Sequence, residues 1–398
     1  MMSASPATSR SKDVLLAVGL LLIALNLRPA IAAVGPLASE IRTALNLSNS
    51  ALGLLTTLPL IAFGSVSLLT PIITRRFGMP GMLAGAMGLL AGGIAVRSIP
   101  SMGSLFLGTL LLGIAIAFGN VLLPALVKQG FSRKFGLMTS LYSSMMGVGA
   151  AWAAGITVPL AENGRWGWRG ALAVWALPAL LALILWLPQL SRSRHASPAD
   201  APPKPGKSIG RSRLAWNVAL FMGLQSFAFY VILAWLPDML QGRGADPEFA
   251  GWMLSLSQAT GVLGSLIAPL WAGRKKDQRS IMAVLVCIEA LALMGLAFPA
   301  LGPVELWTCM VGFSLGGAFG LALYLIVVRS ADTATATRLS GMVQAIGYLL
   351  AATGPILAGS LFDLTGNWLH VLLLLLAVAA IKLYVGLGAA RAEVVSTT

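Results

Sequence analysis

Long apolar stretches separated by short polar segments recur along the whole chain. Each stretch is roughly 17 to 25 residues long, which is enough for an α-helix to cross a hydrocarbon core about 30 Å thick. Polarity does not alternate from one residue to the next within a stretch, so helices are favoured over barrel strands. The pattern predicts twelve spans, numbered here in chain order, at 14–36, 50–73, 79–97, 103–128, 136–160, 170–189, 214–238, 248–272, 280–299, 304–328, 338–361 and 368–388.

The composition supports a membrane protein. Of the 398 residues, 57% are hydrophobic and only 10% are charged. Soluble domains average about 45 to 50% apolar and about 25% charged residues. The predicted fold class is therefore an all-α integral membrane protein.

Positive residues predict the orientation of the spans, because cytoplasmic loops carry an excess of Lys and Arg. Twenty of the 27 basic residues fall on one side when the termini are grouped with alternate loops. Five fall on the other side: Arg42, Arg97, Arg165, Arg169 and Arg243. Both termini are predicted to be cytoplasmic in a bacterial inner membrane. This bias explains the net charge of +14, so we predict no nucleic-acid partner.

One segment differs from the rest of the chain. Residues 190–213 are rich in Pro, Ser and basic residues and separate six spans from six. Such a composition is typical of a flexible linker. We predict an N-terminal six-helix bundle at 1–189, a cytoplasmic linker at 190–213 and a C-terminal six-helix bundle at 214–398.

The two predicted bundles resemble each other in sequence. "AFGNVLLPALVK" (117–128) aligns without gaps to "AFGLALYLIVVR" (318–329), which pairs Lys128 with Arg329 at the ends of spans 4 and 10. A duplicated six-helix unit in parallel orientation is the layout of major facilitator transporters.

Residues suited to enzyme chemistry are scarce. The two histidines are His195 and His370, and the two cysteines are Cys287 and Cys309. This set is too small and too scattered to form a structural zinc site or a catalytic triad. No glycine cluster is followed by the Gly-Lys-Ser/Thr of a phosphate-binding loop. We predict a protein that is not an enzyme and uses no cofactor or metal.

Several motifs resemble the cyanate and nitroimidazole transporter family (CynX/NimT) of the major facilitator superfamily, and are closer to its nitroimidazole branch. They are "LNLRPAIAAVGPL" (25–37), "LGLLTTLPLIAFG" (52–64), "RRFGM" (75–79), "FGNVLLPALVK" (118–128) and "SGMVQAIGYLLAATGP" (340–355). The resemblance implies a twelve-helix transporter that alternates access between its halves.

The loop between spans 2 and 3 departs from the superfamily signature G-x-x-x-D-R-x-G-R-R. In "PIITRRFGMP" the first Gly is Pro71 and the Asp is Arg75, and only Arg76 and Gly78 match. The resemblance implies a gating role for Arg75, Arg76 and Gly78, but the charge relay of the signature does not carry over.

Arg28 is a permanent charge inside span 1. It lies about 21 Å from the start of the span by helical rise, where an arginine costs about 2.5 to 3.5 kcal/mol. Pro29 removes a backbone donor and disfavours helical geometry at Arg28, so a break in the helix is expected here. Arg28 either attracts an anionic or strongly dipolar substrate, or it snorkels outward and pairs with freed carbonyls.

Further polar candidates follow from the resemblance, because the first, second, fourth and fifth helices of each half face the central cavity in this superfamily. On those spans the polar and aromatic residues are Asn120, Tyr142, Gln225, Tyr230, Gln258, Tyr324, Gln344 and Tyr348. Such groups stack on and hydrogen-bond a planar heterocycle. They also serve as ordinary interhelical hydrogen bonds, and the sequence leaves both interpretations open.

Glu289 and Lys382 are the remaining charged residues deep within spans. Spans 9 and 12 resemble peripheral helices of the superfamily. A buried ion pair and a proton-coupling role for Glu289 are the two interpretations.

Together these features predict a monomeric secondary transporter for a small anionic or polar heteroaromatic solute, with Arg28 as the central cation. Its partners are the substrate, the lipid bilayer and a coupling proton. The alternative is a broad-specificity drug/proton antiporter that exports xenobiotics.

Overall fold

The computed structural model describes residues 6–34, 37–46, 49–131, 134–163, 167–193, 209–245 and 247–395. Each of the twelve predicted spans coincides with a helix or a pair of helices. In the first half these are Pro6–Asn26 with Pro29–Ala32, Asn49–Ser67, Thr70–Arg97, Met102–Gly130, Phe135–Asn163, and Gly167–Ala173 with Ala176–Trp186. In the second half they are Arg213–Gln241, Pro247–Ala272, Arg279–Ala297, Val304–Val328, Thr333–Thr365 and Trp368–Ala389.

Short helices join some of these spans. They are Ala38–Leu45 after span 1, Pro188–Ser193 after span 6, the single turn Ile209–Arg211 before span 7, and the single turn Pro299–Leu301 after span 9. In the described part of the chain, ten helices are long and apolar enough to cross a membrane. Spans 2 and 5 complete the twelve, and the helix of span 5 is 29 residues long. The all-α, multi-span architecture predicted from the apolar pattern is confirmed.

The predicted linker is only partly described. The helix Pro188–Ser193 enters it, and the helix of span 7 starts at Arg213. Residues 194–208, which include His195, lie outside the described residues. The division into two bundles therefore remains a prediction.

The segment between spans 2 and 3 is helical rather than a loop. The helix Thr70–Arg97 has Pro71 in its first turn, where no backbone donor is needed. It kinks at Gly78, whose φ of 71° and ψ of 160° favour glycine. Arg76 lies on this segment with its guanidinium carbon 5.5 Å from the centre of the Phe77 ring. The side chain of Arg75 lies outside the description.

Spans 4, 8 and 10 finish at the same end of the molecule, close to Lys128, Arg274 and Arg329, and we call this the basic end. Spans 5 and 8 connect the two halves there. Ser143 Oγ donates to the Ser265 carbonyl over 3.1 Å, and Ser140 donates to the Leu266 carbonyl. The halves are therefore in direct contact at the basic end.

The C-terminal tail is fixed to the same end. The buried Arg329 donates from Nε to the Ala389 carbonyl over 3.2 Å and from Nη2 to the Ala390 carbonyl over 3.0 Å. The amide of Val395 returns a hydrogen bond of 2.7 Å to the Arg329 carbonyl. Burial lowers the pKa of Arg329, but the ordinary arginine pKa is so high that the side chain stays charged at neutral pH. A cation at the end of span 12 also stabilises the negative end of that helix dipole.

Candidate substrate-binding site

Span 1 is interrupted next to Arg28. Its first helix ends at Asn26 and the short helix begins at Pro29, with Arg28 between them at φ −118° and ψ −33°. Pro29 has no N–H to donate to the Leu25 carbonyl, so the helical ladder stops at this point. The predicted break is confirmed.

Two neighbouring spans hold the break in place. The Asn26 amide donates to the Pro178 carbonyl of span 6 over 3.2 Å. On span 5, Gly149 packs so closely that an added Cβ would overlap the Leu25 carbonyl oxygen. The freed end of the helix is therefore enclosed by protein rather than by lipid.

Arg97, the last residue of the predicted span 3, holds the break from a third side. It ends the helix of span 3 with 0% exposure, and its Nη1 donates to the Ala30 carbonyl over 2.6 Å. The reason is local, since Ala30 lies in a four-residue helix that cannot satisfy its own last carbonyls. A cation near that terminus also complements the helix dipole.

The guanidinium of Arg28 contacts the second half of the molecule. Nη1 donates to the Tyr230 hydroxyl over 3.0 Å, and the guanidinium carbon lies 5.3 Å from the centre of the Phe319 ring. The Tyr348 hydroxyl interacts electrostatically with the same guanidinium. These groups are aromatic and uncharged, and within the part of the chain that the structure describes no carboxylate pairs with Arg28.

A layer of polar side chains lies behind these contacts. The Asn120 amide donates to the Tyr348 hydroxyl over 3.4 Å, and the Gln344 amide donates to the Asn120 carbonyl over 3.4 Å. The Tyr348 ring packs edge to face on Phe63 with ring centres 4.9 Å apart. Tyr142 is buried and also interacts with Tyr348. Five of the eight predicted polar residues thus gather around Arg28.

The other three do not join this cluster. The Gln225 amide donates over 2.7 Å to Ser226, its neighbour on span 7. Tyr324 is buried toward the basic end and interacts electrostatically with Arg329. Gln258 is half-buried in span 8, and no described contact connects it with Arg28. The resemblance predicts which helices line the site, but it does not predict which face of each helix points toward it.

Sequence reasoning missed Phe319, which forms the aromatic wall beside Arg28. The signal was present in the internal repeat, because Phe319 aligns with Phe118 in the two "AFG" motifs. Phe229 lies next to this cluster, with its ring centre 5.3 Å from that of Tyr230. Side chains from spans 1, 4, 5, 7, 10 and 11 therefore build one cationic, aromatic site.

Glu289 and Lys382 form an ion pair between spans 9 and 12. The exposure of both side chains is 1% or less. Neither residue belongs to the Arg28 cluster, and the pair neutralises the second cation found deep within a span.

The twelve helices and a site between the halves define a secondary transporter. The sequence profile of the Major Facilitator Superfamily matches residues 16–355. The proton:xylose symporter XylE superimposes with a TM-score of 0.78 at 16% identity, over 94% of this chain and 95% of that chain. The chain therefore belongs to the major facilitator superfamily.

Two curated relatives define its family more closely. The chain is 42% identical to the 2-nitroimidazole transporter of Escherichia coli (strain K12), over 92% of this chain and 93% of the relative. It is 30% identical to the cyanate transport protein CynX of the same strain, over 88% and 90% of the two chains. Within the superfamily it is a member of the cyanate and nitroimidazole transporter family, closer to the nitroimidazole branch.

Proposed function

We propose that the protein transports a small anionic or polar heteroaromatic solute, of the cyanate or nitroimidazole type, with Arg28 as the group that attracts it. The observation that carries this proposal is the uncompensated guanidinium at the break of span 1, bonded to Tyr230 of the opposite half. An anion or a nitro group would accept charge-assisted, bidentate hydrogen bonds from it.

The aromatic walls support a flat substrate. Phe319 presents its ring and Tyr230 its hydroxyl beside the guanidinium, and aromatic rings bind planar heterocycles by offset stacking. The named substrates of the two relatives have this chemistry in common, since cyanate is a small anion and a nitroimidazole is a planar ring with a dipolar nitro group. A cation with aromatic neighbours suits both.

The mechanism that we infer is alternating access. Arg28 belongs to the first half and Tyr230, Phe319 and Tyr348 to the second, so a substrate bound among them touches both halves. Rocking of the halves would then move the site from one face to the other. We also propose that the basic end faces the cytoplasm of a bacterial inner membrane, as the distribution of Lys and Arg predicts.

Transport assays in proteoliposomes test this function. Uptake of cyanate, of a 2-nitroimidazole and of a simple carboxylate would be measured with and without a proton gradient. Arg28→Ala should lower the affinity for the transported solute at least about tenfold, because a hydrogen bond to a charged group contributes about 1.5 to 3 kcal/mol. Arg28→Lys keeps the charge but loses the planar guanidinium group, so its affinity should lie between those of the wild type and Arg28→Ala.

The matched control is Arg274→Ala, which removes an exposed arginine at the basic end. It should transport like the wild type. Wild-type affinity in a folded, membrane-inserted Arg28→Ala variant would refute the role of Arg28.

The alternative, a drug/proton antiporter, makes a different demand on the site. A cationic drug needs a carboxylate in the cavity, whereas the described contacts of Arg28 are hydroxyl groups and a ring. Export of a cationic dye driven by a proton gradient, with no transport of cyanate or nitroimidazole, would favour the antiporter.

A further inference from the structure

A cavity opens at the basic end of the second half, and Arg28 is not among its lining residues. Its volume is about 350 Å³, and it lies between the starts of spans 7 and 9 and the end of span 12. Each of these elements contributes an arginine, namely Arg213, Arg279 and Arg391. Asn217 and Tyr384 line the same cavity.

The charge of this cavity is positive. Of its lining residues only Glu393 is acidic. Just outside the lining, Asp277 pairs with Arg279 over 2.7 Å, and hydrogen bonds from Arg279 lower the pKa of the Asp277 carboxyl. Arg329 interacts electrostatically with both of these carboxylates, so the four arginines and two carboxylates leave a net charge of +2. The cavity therefore favours an anionic group.

The third arginine is held in place by the fold. Arg391 lies on the tail that Arg329 fixes through the Ala390 carbonyl. The amide of Gln278, next to Arg279, donates to the same Ala390 carbonyl over 3.1 Å. The cavity is therefore built by contacts between spans 9, 10 and 12, and is not a chance grouping of surface side chains.

The cavity adjoins an apolar surface. Tyr384 is 74% exposed, Ile381 one turn before it is 54% exposed, and Val284 on span 9 is 40% exposed. Large exposed apolar side chains on a spanning helix face lipid. A ligand for this place needs a negative head at the arginines and an apolar body along spans 9 and 12.

We propose that this cavity binds the headgroup of an anionic glycerophospholipid such as phosphatidylglycerol. The phosphodiester lies among Arg213, Arg279 and Arg391, and the acyl chains run along Tyr384 and Ile381. Basic pockets between spanning helices near the membrane surface have the chemistry that recognises acidic lipid headgroups. This site is independent of the transported substrate, and its test involves no transport.

Native mass spectrometry of the purified, delipidated full chain tests the proposal by titration with phosphatidylglycerol and, separately, with phosphatidylcholine. The wild type should bind one phosphatidylglycerol tightly and prefer it to phosphatidylcholine. Arg213→Gln with Arg391→Gln should weaken this binding at least about tenfold. Both side chains are exposed, so the double variant should fold normally, which its thermal unfolding midpoint would verify.

The matched control is Arg274→Gln with Lys276→Gln. It removes the same charge from exposed residues of the same end, but outside the cavity lining. The control should bind phosphatidylglycerol like the wild type, and an equal loss in both double variants would overturn the proposal. So would equal binding of the two lipids, or wild-type binding by the cavity variant. Displacement of the lipid by excess inorganic phosphate would reassign the cavity to a free anion.

Discussion

At the scale of single residues, Lys382 and Arg28, two cations that lie deep within spans, are stabilised in opposite ways. Lys382 is neutralised by Glu289. Arg28 instead bonds to a phenol and lies beside an aromatic ring, contacts that lower the cost of its burial without cancelling its charge. A neutralised cation cannot attract an anion, so of these two residues Arg28 is the one suited to the proposed role. The position of Arg28 then depends on how firmly the break of span 1 is held.

Gly149 offers a direct test of that dependence. In Gly149→Ala the new methyl would overlap the Leu25 carbonyl and lie 3.2 Å from Pro29 Cγ. Overpacking of this kind costs about 1 to 3 kcal/mol, and relief requires span 1 to move away from span 5. We expect a lower unfolding temperature and weaker substrate binding, measured by thermal unfolding in detergent and by equilibrium binding.

Gly92→Ala is the control for this substitution. Gly92 is exposed in the helix of span 3, and no atom outside that helix would lie within 4 Å of the added methyl. Its stability should be equal or higher, since Ala exceeds Gly in helix propensity by about 1 kcal/mol. If Gly149→Ala behaves like Gly92→Ala, then the contact at the break has no influence on the site.

At the scale of helices, two features affect how spans pack: the ion pair between spans 9 and 12 and the kink at Gly78. The ion pair of spans 9 and 12 is buried, and removing one partner leaves the other charge uncompensated. The kink at Gly78 separates the segment that begins at Thr70 from the membrane-spanning part of span 3. Both features can be changed without touching the Arg28 cluster.

The ion pair predicts a double-mutant result. Glu289→Leu alone leaves Lys382 buried without a counter-charge and should destabilise the protein by about 3 to 5 kcal/mol. Adding Lys382→Met should restore most of that loss, because an apolar pair of similar volume is often as stable as a buried ion pair. Thermal unfolding of the two single variants and the double variant measures the coupling.

Transport by the double variant separates the two interpretations of Glu289. Dependence on the proton gradient should be unchanged if the pair only stabilises the fold. Loss of that dependence in a stable double variant would make Glu289 a proton carrier.

The kink makes a prediction about the backbone alone. An added Cβ at Gly78 would come no closer than 3.9 Å to another atom, so Gly78→Ala causes no clash. Its positive φ still makes alanine unfavourable by about 1 to 3 kcal/mol. Gly81→Ala, three residues later with the same free space, should be neutral in the same thermal unfolding assay. Equal stability of the two variants would mean that the kink is not needed.

The sequence predicts some of these features better than others. Apolar length is enough to locate the spans, and Pro29 is enough to predict the break, because both follow from local chemistry. The burial of Arg97 was not predictable from its charge. The rule that assigns arginines to loops takes no account of the Ala30 carbonyl, which has no backbone hydrogen-bond donor among the described residues and accepts from Arg97. The helix that carries Gln225 was predictable, but the direction in which its side chain points was not. Tertiary packing decides which face of a helix meets the site, and Gln225 bonds to Ser226 instead.

At the scale of the whole molecule, the proposed alternating access requires the two halves to separate at the basic end, where they are in contact. The described contacts there include hydrogen bonds from Ser140 and Ser143 to carbonyls of span 8, the close approach of Gly341 to Ser67, and an electrostatic attraction between Lys128 and Asp332. Arg28 and its partners lie on different halves, so the same movement must change the site. Under the proposed function, substrate binding and opening are thereby expected to be coupled.

Gly341 lies at this closure and allows the coupling to be tested. An added Cβ would lie 2.8 Å from the Ser67 carbonyl of the opposite half, so Gly341→Ala should disfavour the closed state. A cost of about 1 to 3 kcal/mol shifts a two-state equilibrium about 5- to 150-fold. Spin labels at the exposed Gln129 and Ala331, at the ends of spans 4 and 10, should report longer distances by pulsed electron paramagnetic resonance. Gly92→Ala should leave the distances unchanged, and an unchanged distribution in Gly341→Ala would mean that this contact does not control closure.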